Sequence, residues 1–223
     1  MTPEAIQKDT LTGVLSRKSF DERLREAFTR AEVEQFPFTL AFLDLDGFSR
    51  INETFGHSAG DALLISLART IESIAAGDAI VGRYGGDEFV VLFLYTEREQ
   101  AFLTMEKVRS AVEQMKSLAV GEQTVSLQAT VSVGVASFPI DAHTETELLR
   151  KADQALYRGK QMGRNQVRLA YEERMLPKTS HYTQTQLERL AQLAEREGVG
   201  EAVLLREALD NLLLKYNVTQ FDQ

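Results

Sequence analysis

The segment RYGGDEFVVLF, Arg83 to Phe93, combines a turn with the start of a buried strand. Its paired glycines, Gly85 and Gly86, suit a hairpin tip with positive φ at little steric cost. They lead into two acids, Asp87 and Glu88, which run directly into Phe89, Val90, Val91, Leu92 and Phe93. Carboxylates at the mouth of a buried strand lose hydration unless a cation or hydrogen-bond donors replace it. A turn explains the glycines; the acids need a further reason.

Outward from this hairpin, hydrophobic periodicity predicts alternating strands and helices from about residue 20 to 170. Strands are expected at 38–46, 79–84, 88–95 and 124–138. In the last of these, Val125, Leu127, Ala129, Val131, Val133 and Val135 alternate with polar neighbours, as in a sheet with one covered face. Apolar stripes mark helices at 59–75 (Ala59, Leu63, Leu67, Ile71, Ile74) and 145–161 (Leu148, Leu149, Ala152, Ala155, Leu156). This order predicts an α+β, ferredoxin-like sandwich, a central antiparallel sheet flanked by helices.

The strand at 38–46 ends in Asp44-Leu45-Asp46. If it neighbours the strand after the hairpin, Asp44 and Asp87 converge. Oxygen ligands on rigid strands, completed by phosphates, suit Mg²⁺ in phosphoryl transfer. The alternative is that these acids are solvated strand ends or helix caps. Composition restricts the choices. With no cysteine there are no disulfides, thiol nucleophiles or thiolate metal sites. The N-terminus lacks signal-peptide features, no apolar run could span a bilayer, and a cytoplasmic setting is expected. A formal net charge of −8 disfavours binding to polyanions.

Five stretches occur in one order: DLDGFSRIN (44–52), FGHSAGD (55–61), RYGGDEF (83–89), SVGVA (132–136) and KQMGRN (160–165). Together with Asp9-Thr10-Leu11-Thr12-Gly13 they resemble the GGDEF diguanylate cyclase family over about residues 9–170, with a catalytic domain expected at 1–172. The resemblance implies condensation of two GTP molecules into cyclic di-GMP, with release of two pyrophosphates, by a homodimer. It implies Mg²⁺ or Mn²⁺, two per active site, on Asp44, the Leu45 carbonyl and Asp87, with Glu88 in support. Asn52 and Asp61 fall where the family reads guanine, and a carboxylate acceptor with an amide donor suits that base. Gly47, Phe48, Lys160 and Arg164 fall at phosphate-binding positions; Lys160 and Arg164 are expected one helical turn apart, and alone would read as a solvated helix face. Gly85 and Gly86 would also let backbone approach the nucleotide. His57 is expected to order its loop or cap a helix at Ser58.

Three departures stand out. Ser49 occupies the position of the family's lysine, and Arg50 cannot replace it, because one step along a helix turns a side chain by roughly 100°. Ala76-Gly77-Asp78-Ala79 replaces the R-x-x-D motif of the primary product-inhibition site. Almost nothing precedes Asp9 where a sensory domain commonly stands.

After Pro177 the pattern changes to an extended segment and two amphipathic helices, lined by Leu187, Leu190, Leu193 and Ala194 and by Leu205, Leu209, Leu212 and Tyr216. A piece this small cannot bury such stripes alone. Residues about 177–217 resemble a ribbon-helix-helix module, a small strand-helix-helix unit on which Thr179 and His181 would face DNA. Residues 177–223 hold five Lys/Arg against seven Asp/Glu, which favours homodimerisation over DNA binding; a helical hairpin folded back on the catalytic domain is the third possibility. The alternative function is a catalytically weak GTP-binding regulator acting through this module on DNA or a protein partner.

Overall fold

The computed structural model describes residues 6–77, 79–170, 180, 182–197 and 200–215. The chain divides into two compact units, 1–173 and 174–223.

The first unit runs β1 (Leu15–Ser16), α1 (Arg17–Glu34), β2 (Phe38–Leu45), α2 (Phe48–Phe55), α3 (His57–Ile74), β3 (Ala79–Arg83), β4 (Glu88–Leu94), α4 (Arg98–Gln114), β5 (Ser117–Val120), β6 (Gln123–Ser126), β7 (Val131–Phe138), α5 (Glu145–Gln161) and β8 (Val167–Leu169). The main sheet has the order β1-β3-β4-β2-β7-β8. Its four inner strands are antiparallel neighbours, the ferredoxin-like core. The two short edge strands pair in parallel with β3 and β7, so the sheet as a whole is mixed rather than purely antiparallel.

Alternation along the inner strands sends side chains to opposite faces. Ala41, Leu43, Phe89, Val91 and Val133 meet α3 and α4 on one face. Phe38, Leu40, Phe42, Val90 and Leu92 meet α1 and α5 on the other. Every residue of β2 is buried, so this strand is the middle of the molecule. Each large apolar side chain buried here contributes about 1.5–3 kcal/mol before entropy is counted.

The expected strand at 124–138 is two strands. Gln123–Ser126 pairs with Ser117–Val120 in a separate hairpin, and Val131–Phe138 enters the main sheet. Leu127 and Ala129 between them remain buried, so the inside-outside alternation continues through residues outside any ladder. Nor does β7 have one covered face, for Val131 to Ser137 are all buried. Its alternation separates large side chains toward α3 and α4 from small ones toward α5. At Gly134 an added Cβ would run into the backbone of Ala152 and Leu156.

Helix ends follow local chemistry. Thr144 caps α5 by accepting from the Glu147 amide at 3.2 Å, and the Glu147 carboxylate accepts from the His143 amide at 3.1 Å. In the second unit, α6 (Gln184–Glu197) opens on a reciprocal box: the Thr183 hydroxyl accepts from the Gln186 amide at 3.3 Å, and the Gln186 side chain accepts from the Thr183 amide at 2.9 Å. It is followed by α7 (Glu201–Lys215). Leu187, Leu209 and Leu212 are 44%, 54% and 49% exposed. Thr179, His181 and Tyr216 lie outside the described residues, as does Asp78. Among the described residues no helix is long and apolar enough to cross a membrane.

Candidate active site

The pairing of β2 with β4 puts Asp44 directly opposite Glu88, and the Leu45 amide donates to the Asp87 carbonyl at 3.4 Å. The three acids therefore meet at one end of the central strands. Asp44 is buried, and the Lys160 ammonium lies 2.6 Å from its Oδ2. Burial pushes the Asp44 carboxyl above its ordinary value; Lys160 pulls it down by hydrogen bond and charge, while Asp87 and Glu88 push it up again. One ammonium thus faces more negative charge than it offsets. A cleft of about 220 Å³ lies here, lined by Asp44, Leu45, Asp46, Gly47, Phe48, Ser49, Asp87, Lys160 and Arg164.

The hairpin between β3 and β4 is closed by the Glu88 carbonyl, which accepts from the Tyr84 and Gly85 amides at 2.8 and 3.3 Å. Neither Gly85 nor Gly86 has a positive φ, contrary to expectation. At Gly85 an added Cβ would meet only the carboxylate end of Glu88, which a side-chain rotation could relieve. Gly86 has no protein atom near its missing Cβ. What shapes the tip is Arg83, unremarked in the sequence. Its guanidinium donates to the Gly86 carbonyl at 2.6 and 3.1 Å and to the Asp9 carboxylate at 3.1 and 3.3 Å. Asp9 also accepts from the Thr12 amide and hydroxyl at 2.8 and 2.6 Å. Although burial opposes it, the bonds from Thr12 and Arg83 hold the Asp9 carboxyl below its ordinary value. The Asp9–Gly13 motif is thus a strap on the acidic hairpin.

Asp46, the second acid of the strand end, is occupied structurally. It accepts from the Thr130 and Ser132 hydroxyls at 2.8 Å each and from the Asn165 amide at 3.0 Å. Gly47 then turns the chain with φ 69° and opens α2 without a side-chain cap. Helix N-termini of this kind present free amides to anions.

Lys160 and Arg164 line one cleft, but not as neighbours on a helix. α5 ends at Gln161, and Arg164 follows Gly163 (φ 111°) with its own φ at 61°. Arg50 does not line the cleft; it lines a separate cavity of about 590 Å³ with Thr54, Phe55 and Gln128, and Asp46, Gly47 and Arg164 form the wall shared by the two. Ser49 borders both the cleft and a cavity of about 270 Å³ with Asn52, Glu53 and His57. Asn52 packs on Gly60, and its Oδ1 is buried with no hydrogen-bond partner among the described residues, so a ligand donor would fit there. Asp61, one residue on from Gly60, is exposed and lines none of these cavities. Helix α3 starts at His57 with Gly56 as its cap, so His57 is the first helical residue and does not cap a helix at Ser58.

Among the described residues no three acidic or histidine side chains form a metal-binding group by themselves. An all-oxygen set of two carboxylates and a carbonyl fits a hard divalent cation held jointly with a nucleotide's phosphates, rather than an all-protein cage.

Residues 6–166 match the family model for the diguanylate cyclase GGDEF domain, and residues 177–217 match a ribbon-helix-helix domain. The crystal structure of the GGDEF domain of DgcB from Caulobacter crescentus, in complex with c-di-GMP, is similar at 33% identity and a TM-score of 0.69 over 77% of this chain and 97% of that one. The probable diguanylate cyclase DgcC of Escherichia coli is 33% identical over 73% of this chain and 43% of its own length. The bifunctional diguanylate cyclase/cyclic di-GMP phosphodiesterase MucR of Pseudomonas aeruginosa is 36% identical over 70% of this chain and 22% of its own. The chain spans less than half the length of these curated relatives. On the match of the family model to residues 6–166, the chain belongs to the GGDEF diguanylate cyclase family.

Proposed function

We propose that this chain is a cytoplasmic diguanylate cyclase that joins two GTP molecules into cyclic di-GMP. The observation that carries this reading is the convergence of Asp44, Asp87, Glu88 and Lys160 beside the uncapped start of α2. In each half-reaction a ribose 3′-oxygen forms a bond to the α-phosphorus of the other nucleotide, and the bond to pyrophosphate breaks. Asp44, Asp87 and the Leu45 carbonyl would hold Mg²⁺ or Mn²⁺, two per site, with Glu88 in support. When bound, such ions stabilise charge on the phosphates and lower the pKa of the attacking hydroxyl. Gly47, the Phe48 amide, Lys160 and Arg164 bind phosphate oxygens; Asn52 and Asp61 read guanine. Gly85 and Gly86 keep the hairpin thin where the nucleotide approaches.

The domain division follows: residues 1–172 carry the chemistry, and residues 177–223 form a ribbon-helix-helix-like homodimerisation module. Exposed Leu187, Leu209 and Leu212 support that assignment, and a twofold dimer brings two loaded sites face to face. DNA contact through Thr179 and His181 is disfavoured by the acidic balance of the segment. One observation favours a second reading, a weak GTP-binding regulator: Ser49 at the cleft brings no cation where the family has lysine. The deciding experiment is incubation of purified protein with GTP and Mg²⁺, with Asp87→Asn as the blank. Cyclic di-GMP formed by the wild type and absent from the variant supports the cyclase; GTP binding without product supports the regulator.

A further inference from the structure

Arg164 and Asn165 take consecutive left-handed conformations, with φ of 61° and 49°. Asparagine tolerates that region, whereas a long side chain such as arginine avoids it unless its neighbours impose it. The Arg164 side chain does not hold itself there: it is exposed and has no hydrogen bond or ion pair among the described residues. Asn165 is held on three sides. Its amide donates to Asp46 Oδ2 at 3.0 Å, its Nδ2 donates to Glu113 Oε1 at 2.7 Å, and its Oδ1 accepts from Arg109 Nη1 at 3.0 Å. Each partner is itself fixed: Arg109 is paired with Glu106 and Glu113 at 3.0 and 2.9 Å, and Asp46 accepts from Thr130 and Ser132.

We infer that Asn165 is a positioning residue, which pins the loop after α5 against α4 and the end of β2 so that the Arg164 guanidinium, unpaired among the described residues, is aimed at the terminal phosphates of the bound nucleotide. This rests on the cyclase reading and adds a residue to it. A freed loop would let Arg164 return to an ordinary backbone conformation and turn its Cβ away from the cleft. Because Arg164 borders both the cleft and the larger Arg50 cavity, the lock also decides which of the two spaces the guanidinium serves.

The test uses the full chain in four forms: wild type, Arg164→Ala, Asn165→Gly, and the double variant. Glycine keeps the left-handed backbone easy while removing the side-chain bonds. Dissociation constants are measured by calorimetry for a non-hydrolysable GTP analogue and for GMP, which lacks the terminal phosphates. Asn165→Gly is expected to weaken the triphosphate about tenfold, the scale of one hydrogen bond to a charged group. GMP binding should be unchanged, and the double variant no weaker than Arg164→Ala alone. Wild-type-like triphosphate binding by Asn165→Gly, equal weakening of GMP, or additive losses in the double variant would overturn the inference and leave the cyclase reading standing. Failure of the wild type to bind the triphosphate would overturn both.

Discussion

The ammonium of Lys160 lies 2.6 Å from a carboxylate oxygen of Asp44, yet the Asp44 carboxyl stays above its ordinary value of 3.8, because burial and the neighbouring acids outweigh that one cation. The folded state therefore holds the Asp44 proton more tightly than the unfolded chain does. Its contribution to stability is complete below about pH 3.8 and is lost as pH rises through the folded-state value. In metal-free protein, Asp44→Asn should gain in melting temperature relative to wild type between pH 4 and pH 7. A constant difference across that range would show that burial of Asp44 costs nothing.

Ser49 gives the second prediction. It borders the cleft without a charge, so Ser49→Lys should raise the turnover number on the order of tenfold, within the range of an added electrostatic contact to developing charge. Steady-state rates at saturating GTP and Mg²⁺ measure this. An unchanged or lower rate would mean that charge at this point of the cleft is not limiting.

Guanine selection is expected to depend on Asp61. Asp61→Ser removes an acceptor and should narrow the preference for GTP over ATP by roughly 1–3 kcal/mol in kcat/KM. Its exposure in the absence of ligand is compatible with this role if the base covers it on binding. A preference equal to wild type would leave the orphaned oxygen of Asn52 as the better candidate.

The strap between Arg83 and Asp9 is partly buried, with side chains 17% and 22% exposed. Arg83→Ala and Asp9→Ala should each destabilise the first unit, and a double-mutant cycle in urea should return a coupling of about 1–2 kcal/mol. Additive losses would mean that the two residues stabilise the fold separately.

Deleting residues 177–223 should leave a monomer that still binds GTP, since all the proposed site residues lie upstream. Its cyclase rate should become second order in protein, while the full chain keeps a nearly constant specific activity. Sedimentation and rate measurements over one concentration series decide this. A truncated chain that remains dimeric with full activity would remove the tail from the dimer contact.

Much of this molecule was legible in its sequence because the signals were local. The helix bounds at 145–161 follow from an apolar stripe with a hydroxyl just before it, and the meeting of Asp44 with the Asp87–Glu88 hairpin follows from one apolar strand that ends in acid and another that begins in it. Other features were not. The break between β6 and β7 is hidden because Leu127 and Ala129 keep facing inward without a partner strand. The structural role of Asp46 had no sequence signal, because its three donors arrive from distant segments. Arg83, Arg109 and Asn165 act through residues dozens of positions away, which no periodicity records. Helix α1 carries a stripe of Phe20, Leu24, Ala27, Phe28 and Ala31 that serves packing alone.

Gly134 lies under the middle of α5, in register with Phe42, two residues before Asp44. It works as a shim: a methyl group added there would lift the whole helix off the sheet, and a rigid helix carries that displacement along its length to Lys160. The tolerance of the cleft is thus set beneath α5, by a residue that carries no side chain at all. A relative could keep every acid, glycine and lysine of the motif and still be inert because its shim is one carbon too thick, so the motif alone does not certify a working cyclase.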